Sequence, residues 1–340
     1  MRKTMPPTTR AQARDRVTLL VRVVLSPDIL SLLMAYLELE DHAAFMVCTM
    51  WRDAWTATSG QRRQLRLVDL PAPKPALKRF VTGMFSMPDG EHLCIRTERG
   101  LGNGVSLSVV DKRLGRLPDL IDHVHDAHED ALAITDLGVY AASMGKLWRY
   151  TYLWSAEGLV TTVAATSAYV DLWSLDACMC VSAHGVFLRE GGSGVVLLDP
   201  ITLKKRCSFE PGLLHKVRSI AVGGDEVFVS DELTISSTDT RGSIHVFSLS
   251  GVYRREIRHN GWTQIRDLLF ANDRLYFIDH KAKLTTITPA GTVLQTIDYS
   301  GLDVGMSPYP CTLGTKLYLA GAPAELHSTG ASAIRVFEGA

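Results

Sequence analysis

The chain lacks three features, and each absence excludes a class of protein. Its six cysteines are scattered through 340 residues, so they form no disulfide framework, and a reducing intracellular compartment fits best. It lacks a long hydrophobic run near its start, where the longest one, from Val17 to Leu25, is interrupted by Thr18 and Arg22 and is too short to span a bilayer. It has no net charge, since 36 basic residues balance 36 acidic ones. This balance argues against a nucleic-acid or anionic-membrane partner.

The sequence also lacks the motifs that carry most enzyme chemistry. It has no Gly-x-Ser-x-Gly elbow, and the glycine-rich turn at 191–194 precedes a strand pattern rather than a helix that could bind phosphate. His123, His125 and His128 have carboxylates nearby and could bind Zn²⁺, but a polar loop is the simpler interpretation. We therefore predict no catalytic residue, no metal site and no cofactor.

Two smaller clusters have ordinary explanations. Cys178 and Cys180 lie in an apolar strand pattern, where burial predicts inert thiols. A basic patch at a hairpin end is either the rim of a binding surface or a solvated hairpin, and it comprises Arg254, Arg255, Arg258 and His259.

The N-terminal segment is rich in basic residues. Residues 1–24 hold one acid, Asp15, against a larger set of basic residues: Arg2, Lys3, Arg10, Arg14, Arg16 and Arg22. The prolines of the stretch 5–9 suit no helix, so a disordered leader is predicted. A mitochondrial transit peptide is the alternative, because such peptides are rich in arginine and poor in acids.

Residues 25–55 form a strongly helical pattern. Ser26 is a good N-cap, and Pro27 then falls at the first helical position, where its missing N–H costs nothing. The apolar residues that follow have helical spacing, and Trp51 and Trp55 lie four positions apart. Three short helices cannot bury this much apolar surface among themselves, so the segment needs a larger partner.

The stretch 25–55 resembles an F-box. The matching features are a Leu/Pro start, an acid, an Ile-Leu pair, a Tyr-Leu step, an acidic turn and a Val-Cys-x-x-Trp-Arg ending, here Leu25, Pro27, Asp28, Ile29, Leu30, Tyr36, Leu37, Glu40, Val47, Cys48, Trp51 and Arg52. The resemblance implies docking on a Skp-type adaptor and, through it, on a cullin. The apolar docking face that it implies consists of Leu25, Pro27, Ile29, Leu30, Leu33, Tyr36, Leu37, Val47 and Trp51.

The rest of the chain repeats. A proline-rich connector at 71–78 is followed by short strand patterns that recur roughly every 40–50 residues, the mark of a β-propeller with about four strands in each unit. One strand type recurs in six copies, at 104–111, 145–152, 194–199, 242–248, 282–289 and 332–338. Six copies predict six blades. The last copy lacks an outer strand, which residues 64–69 could supply, so that the two ends of the repeat region would close the ring.

The repeat units loosely resemble those of NHL- and kelch-like propellers, on the stretches 242–254 and 284–294. A repeated Trp-Asp ending is missing, which makes a WD-repeat assignment weaker. A pair of β-sandwiches is the alternative fold, but the even spacing of the strands argues against it.

The predicted organisation is an α+β multidomain chain. It has a leader at 1–24, an F-box-like module at 25–60, a connector at 61–78 and a six-bladed propeller at 79–340. The implied function is that of a non-catalytic substrate receptor in an SCF-like ubiquitin ligase, cytoplasmic or nuclear, with a target protein held by the propeller. The alternatives are a propeller scaffold outside any ligase and a propeller lyase or hydrolase.

Overall fold

The computed structural model describes most of the repeat region. The described residues are 65–68, 80–87, 90–98, 105–111, 116–121, 131–143, 146–155, 158–167, 178–191, 193–209, 212–234, 240–300, 302, 309–314, 316–321 and 333–339. Apart from Gly339, they belong to one compact unit, Leu65–Glu338. The predicted leader and the F-box-like module lie outside the described residues.

The described residues contain strands and no helix. Twenty-four strands, β1 to β24, group into six antiparallel sheets of four strands each. The all-β body predicted from the repeats is therefore confirmed. Sheets are numbered I to VI in chain order, and each of the first five is a simple meander of four consecutive strands.

Sheets I to III cover the first half of the repeats. Sheet I contains β2 (Phe80–Ser86), β3 (His92–Glu98), β4 (Val105–Asp111) and β5 (Arg116–Ile121). Sheet II contains β6 (Ala131–Thr135), β7 (Gly138–Ser143), β8 (Lys146–Ser155) and β9 (Gly158–Ser167). Sheet III contains β10 (Met179–Ser182), β11 (Gly185–Glu190), β12 (Gly194–Leu198) and β13 (Lys205–Ser208).

Sheets IV to VI complete the repeats. Sheet IV contains β14 (Val217–Gly223), β15 (Glu226–Thr234), β16 (Thr240–Ser248) and β17 (Tyr253–Ile257). Sheet V contains β18 (Ile265–Ala271), β19 (Arg274–Asp279), β20 (Lys283–Ile287) and β21 (Val293–Asp298). Sheet VI contains β22 (Tyr309–Leu313), β23 (Lys316–Gly321), β24 (Ala333–Glu338) and β1 (Arg66–Val68).

Apolar cores between the sheets arrange them in a ring. Among the described residues, one core lies between each sheet and the next, from I and II through to V and VI. A sixth core joins sheet VI back to sheet I, where Tyr318 and Val336 pack against Leu93 and Ile95. Each sheet thus contributes side chains to the cores on both of its faces, as the stacked units of a repeat protein do.

The ring has two distinct edges. The first strand of each sheet is innermost and lies beside the first strands of its neighbours. Because the strands alternate in direction, the turns that join first to second and third to fourth strands share one edge, called here the lower edge. The opposite edge, the upper edge, carries the loops from the second to the third strand and those that lead to the next sheet.

Short polar turns shape the lower edge. In sheet IV, Ser248 accepts a main-chain hydrogen bond from Gly251 and, through its hydroxyl, one from Val252 at 3.1 Å. Gly251 has φ of 86°, which favours glycine. Sheet V repeats the turn with Thr288 and Gly291, so the two turns share the spacing Ser/Thr-x-x-Gly.

The ring is closed by a strand that precedes all the repeats. β1 pairs antiparallel with β24, with Arg66 opposite Glu338. Leu65, just before this strand, is 4% exposed and packs in the core between sheets V and VI. The side-chain amide of Gln295 accepts a hydrogen bond from the Leu65 N–H at 2.9 Å and donates one to its carbonyl oxygen at 3.2 Å. The segment at 64–69 predicted to close the ring therefore contains β1. Pairing with β24 holds the strand, and Leu65 is held through its main chain by Gln295 and through its side chain by the core.

Candidate functional site

Two consecutive carboxylates are buried at the upper edge of sheet IV. Asp231 is 2% exposed and Glu232 is 3% exposed, although both lie near the end of β15 where the strand meets the loops. Carboxylates are rarely buried unless they are paired or hydrogen-bonded. Their partners therefore define the first candidate site on the ring, called here the upper cluster: His215, Asp231, Glu232, His245 and Glu256.

Asp231 fixes the loop that leads into sheet IV. Its Oδ1 accepts the main-chain N–H groups of His215 and Lys216, at 2.9 and 2.7 Å. Its Oδ2 lies 2.9 Å from Nδ1 of His215, which donates the proton when the carboxylate is ionised. The His215 side chain is 56% exposed, so this bond orients an imidazole whose Nε2 remains available to a partner molecule.

Glu232 ties sheet IV to the loop that enters sheet V. It accepts hydrogen bonds from Nε of Arg218, on the inner strand, and from Nε2 of Gln264, at 3.3 Å. Lys216 adds an ion pair at 3.7 Å. Because the donors come from three different segments, Glu232 holds the upper loops in a single arrangement.

His245 is a buried imidazole between two carboxylates. Its Nε2 lies 3.7 Å from Oδ2 of Asp231 and 3.8 Å from Oε1 of Glu256, while its Nδ1 has no hydrogen-bond partner among the described residues. Burial lowers the pKa of His245, and the two carboxylates only partly offset this effect. His245 is thus neutral in an environment already arranged for a cation.

Sheet V repeats the arrangement of the buried aspartate. Asp279, 4% exposed, occupies the same register as Asp231, since each pairs with the first residue of its sheet's inner strand. Its Oδ1 accepts the N–H groups of Lys281 and Lys283, at 2.9 and 3.0 Å. In both sheets a buried acid therefore fixes the backbone of a loop whose basic side chains extend into solvent.

The loop between sheets IV and V is anchored by an aromatic side chain. Trp262 is 9% exposed and packs edge-on against Phe277, with ring centroids 4.8 Å apart. On its other side His259 stacks at 5.6 Å. The tip from His259 to Gly261 is exposed. A rigid anchor below an exposed tip is an arrangement that suits recognition of a partner.

A carboxyl on the inner strand of sheet V also titrates unusually. Asp267 is half-buried and lies at a bulge where β18 shifts register against β19. Burial raises its pKa to about 6, with Arg266 acting in the opposite direction. The protonation of this side chain therefore changes close to neutral pH.

At the lower edge, much of the basic patch expected at 254–259 is neutralised. Arg254 pairs with Asp225 at 2.7 Å and with Glu226 at 3.1 Å. Arg255 forms a two-bond pair with Glu226 and donates to the carbonyl oxygen of Pro289 in sheet V at 2.9 Å. Arg254 and Arg255 thus join neighbouring turns. Because β17 ends near the upper edge, Arg258 and His259 lie apart from them.

The remaining sequence predictions fall into two groups. Cys178 and Cys180 are half-buried, and burial raises their pKa values to about 12 and about 11, as expected for inert thiols. The residues of the predicted adaptor-docking face, and His123, His125 and His128, lie outside the described residues. Within the described ranges no group of three or more ligand-type side chains could hold a metal ion. The described part of the chain also holds no helix long and apolar enough to cross a membrane.

Sequence reasoning missed the upper cluster. The second strands of sheets IV and V each contain an aspartate where they approach the upper edge, Asp231 and Asp279, and this shared position is a signal that the sequence offers. No sequence signal links either residue to the loops that it fixes.

Comparison with known proteins identifies the fold alone. No protein-family model and no curated protein matches the chain. Among solved structures, the Pan2 WD40 domain of Neurospora crassa is similar with a TM-score of 0.51 and 12% identity, over 82% of this chain and 95% of that one. BamB from Moraxella catarrhalis is similar with a TM-score of 0.42 and 11% identity, over 76% and 83%. The ring of sheets from Leu65 to Glu338 is therefore a β-propeller.

Proposed function

We propose that the propeller binds a target protein at the upper edge of sheets IV and V, and that the chain delivers this target to a ubiquitin ligase as a non-catalytic substrate receptor. The first half of the proposal concerns the described ring, and the second concerns the F-box-like stretch at 25–55. Delivery would act by proximity, because holding a target beside a conjugating enzyme raises its effective concentration.

The first half of the proposal rests on the distribution of charge at the upper edge, where acidic side chains are buried beneath exposed basic ones. Asp231, Glu232 and Asp279 are buried, whereas the exposed charged side chains there are mostly cationic: Lys216, Arg241, Arg258, Lys281 and Lys283. Among the described residues of this edge in sheets IV and V, Asp298 is the exposed acid. A surface with cations outside and acids beneath favours an acidic segment of a partner.

Charge reversal at the upper edge is expected to weaken binding of an acidic peptide. A fluorescent peptide of alternating Asp, Glu, Gly and Ser should bind the full chain in low salt, and Lys281→Glu with Lys283→Glu should weaken it about tenfold, because two attractive charges become repulsive. Fluorescence anisotropy at two salt concentrations measures the effect.

A matched pair at the lower edge provides the control. Lys204 lies in the turn before β13, and Lys316 is the first residue of β23, where it pairs with Glu338 at 3.5 Å. Lys204→Glu with Lys316→Glu therefore changes net charge equally without touching the upper edge. Equal weakening by both pairs would mean that the peptide responds to net charge alone. That result would remove the upper edge as the binding site.

The second half of the proposal rests on the resemblance of residues 25–55 to an F-box. The ending Val47-Cys48-x-x-Trp51-Arg52 follows the Tyr36-Leu37 step at the family's spacing. An apolar helical segment with no room for an internal core needs a partner, and a Skp-type adaptor supplies one.

Disruption of the docking face is expected to abolish adaptor binding. Purified chain should bind a Skp-type adaptor saturably, and Leu33→Asp with Tyr36→Asp should weaken binding at least about 100-fold, because buried apolar and aromatic anchors carry most of an interface's energy. Isothermal titration calorimetry measures the affinity, and the Lys204→Glu, Lys316→Glu chain serves as the folded control.

The same titration separates the ligase receptor from a propeller scaffold. If well-folded chain fails to bind the adaptor while the acidic peptide still binds the upper edge, the ligase role is lost and target binding remains. Binding of the adaptor without binding of the acidic peptide would support the ligase role and show that the target does not bind the upper edge through an acidic segment.

A further inference from the structure

His245 is surrounded by charged groups on every element that packs against it. Asp231 lies on β15, Glu256 on β17 and His215 on the loop before the sheet, and the Tyr253 ring is 6.0 Å from the imidazole. Arg258, just beyond the end of β17, also acts electrostatically on His245. Only 8% of this histidine is exposed. A proton taken up here is therefore felt by neighbouring side chains rather than by solvent.

The two carboxylate oxygens nearest His245 are already in use. Oδ2 of Asp231 accepts from Nδ1 of His215, at 2.9 Å. Oε1 of Glu256 accepts from Nη2 of Arg258, at 2.6 Å. His245 Nε2 faces the same two atoms from 3.7 and 3.8 Å, a separation too long for a hydrogen bond. A small movement of the imidazolium towards either carboxylate, or of a carboxylate towards it, would bring that pair within hydrogen-bond distance.

We infer that protonation of His245 is a switch that loosens both loops flanking sheet IV, by drawing Asp231 away from His215 and Glu256 away from Arg258. The charge on the imidazolium would also repel Arg258 and a protonated His215. Both loops belong to the upper edge, so the inference deepens the proposed function and depends on it for its biological meaning. The coupling itself requires no partner molecule.

The sign of the pH effect follows from burial. Because the folded protein favours neutral His245, the pKa of this group lies below its ordinary value, and the folded state takes up the proton only as pH falls below that range. The unfolded chain binds this proton first, so folding stability falls as pH drops from the ordinary pKa of histidine to the lowered one, and the loss levels off once folded His245 is protonated. The upper edge is consequently fixed while His245 is neutral and loosened when the folded chain takes up the proton.

Histidine-selective NMR titration of the full-length chain tests the coupling. His215→Gln removes a competing donor and a like charge, so the midpoint of His245 should rise by about 1 pH unit. Glu256→Gln removes an attractive charge and should lower it by a similar amount. His280→Gln is the control, because the bond partner of His280 is Thr263, at 2.7 Å, in the loop that enters sheet V.

The backbone amides of the two loops provide the conformational readout. In the native chain the amide signals of His215, Lys216 and Arg258 should move with the midpoint of His245, and His245→Gln should remove that step. Identical amide titrations in the native and His245→Gln chains would overturn the switch, as would a His245 midpoint that ignores His215→Gln. Loss of peptide or adaptor binding would leave these readouts unaffected, so the two proposals fail separately.

Discussion

Removal of residues 1–69 is expected to abolish cooperative thermal unfolding of the ring, whereas removal of residues 1–60 is expected to leave it intact. The longer deletion takes away β1 and Leu65, which together complete sheet VI. The shorter deletion keeps both. Differential scanning calorimetry of the two truncated chains measures the difference directly.

The expected loss is large because several stabilising contacts disappear together. A buried leucine such as Leu65 contributes about 2–5 kcal/mol. Its two hydrogen bonds with Gln295 add about 1 kcal/mol each. Loss of the β1 pairing also leaves β24 as an unprotected edge. The sum approaches the roughly 5–15 kcal/mol that stabilises a whole domain.

A point substitution at Gln295 tests a smaller part of the same contact. Gln295→Ala removes only the amide contacts and should lower stability by about 1–3 kcal/mol, because it also leaves a buried peptide group without its partner. An unchanged melting temperature after removal of residues 1–69 would show that sheet VI is stable with three strands and that β1 is dispensable.

Gly242→Ala is expected to destabilise the ring by about 3 kcal/mol or more. Gly242 lies on β16 directly beneath the loop that enters sheet V, and its N–H donates to the carbonyl oxygen of Trp262 at 3.3 Å. A β-carbon at this position would overlap the carbonyl oxygen of Thr263. Accommodation requires the loop to move and Trp262 to leave its core, so the change acts as severe overpacking.

Gly224→Ala is the matched control in the same sheet. Gly224 has φ of +60°, so alanine there is strained, but its β-carbon would meet nothing within 4 Å. This substitution should cost only about 1–2 kcal/mol. Equal effects of the two substitutions in urea unfolding would contradict the close approach of β16 to the loop.

The sequence contains enough local information to predict the strands of the ring. In sheets III and IV the recurring third strands at 194–199 and 242–248 alternate or run apolar and end at polar turn residues, and they appear as β12 and β16. The missing outer strand of the last copy predicts a partner from the start of the repeats. The chain provides that partner as β1, which pairs antiparallel with β24 and covers its outer edge.

The upper cluster could not be predicted, because its contacts join residues that are far apart in sequence. Asp231 bonds a loop that lies before its own sheet, and Glu232 bonds Gln264 from the loop after it. Each residue taken alone is an ordinary polar residue at a strand end. Whether such a residue is buried depends on how the neighbouring sheets cover the end of its strand. The spacing of apolar residues along one sequence does not report on that.

The pairing of β1 with β24 sets an order on biosynthesis. β1, which is made before the repeats, must wait for β24, about 270 residues later, before its hydrogen bonds can form. At a ribosomal rate of about 5–20 residues per second, that delay is roughly 15–55 s. Throughout this time Leu65 has no core and sheet VI has no outer strand. A nascent chain of this protein is therefore exposed to aggregation and to chaperones until β24 has emerged.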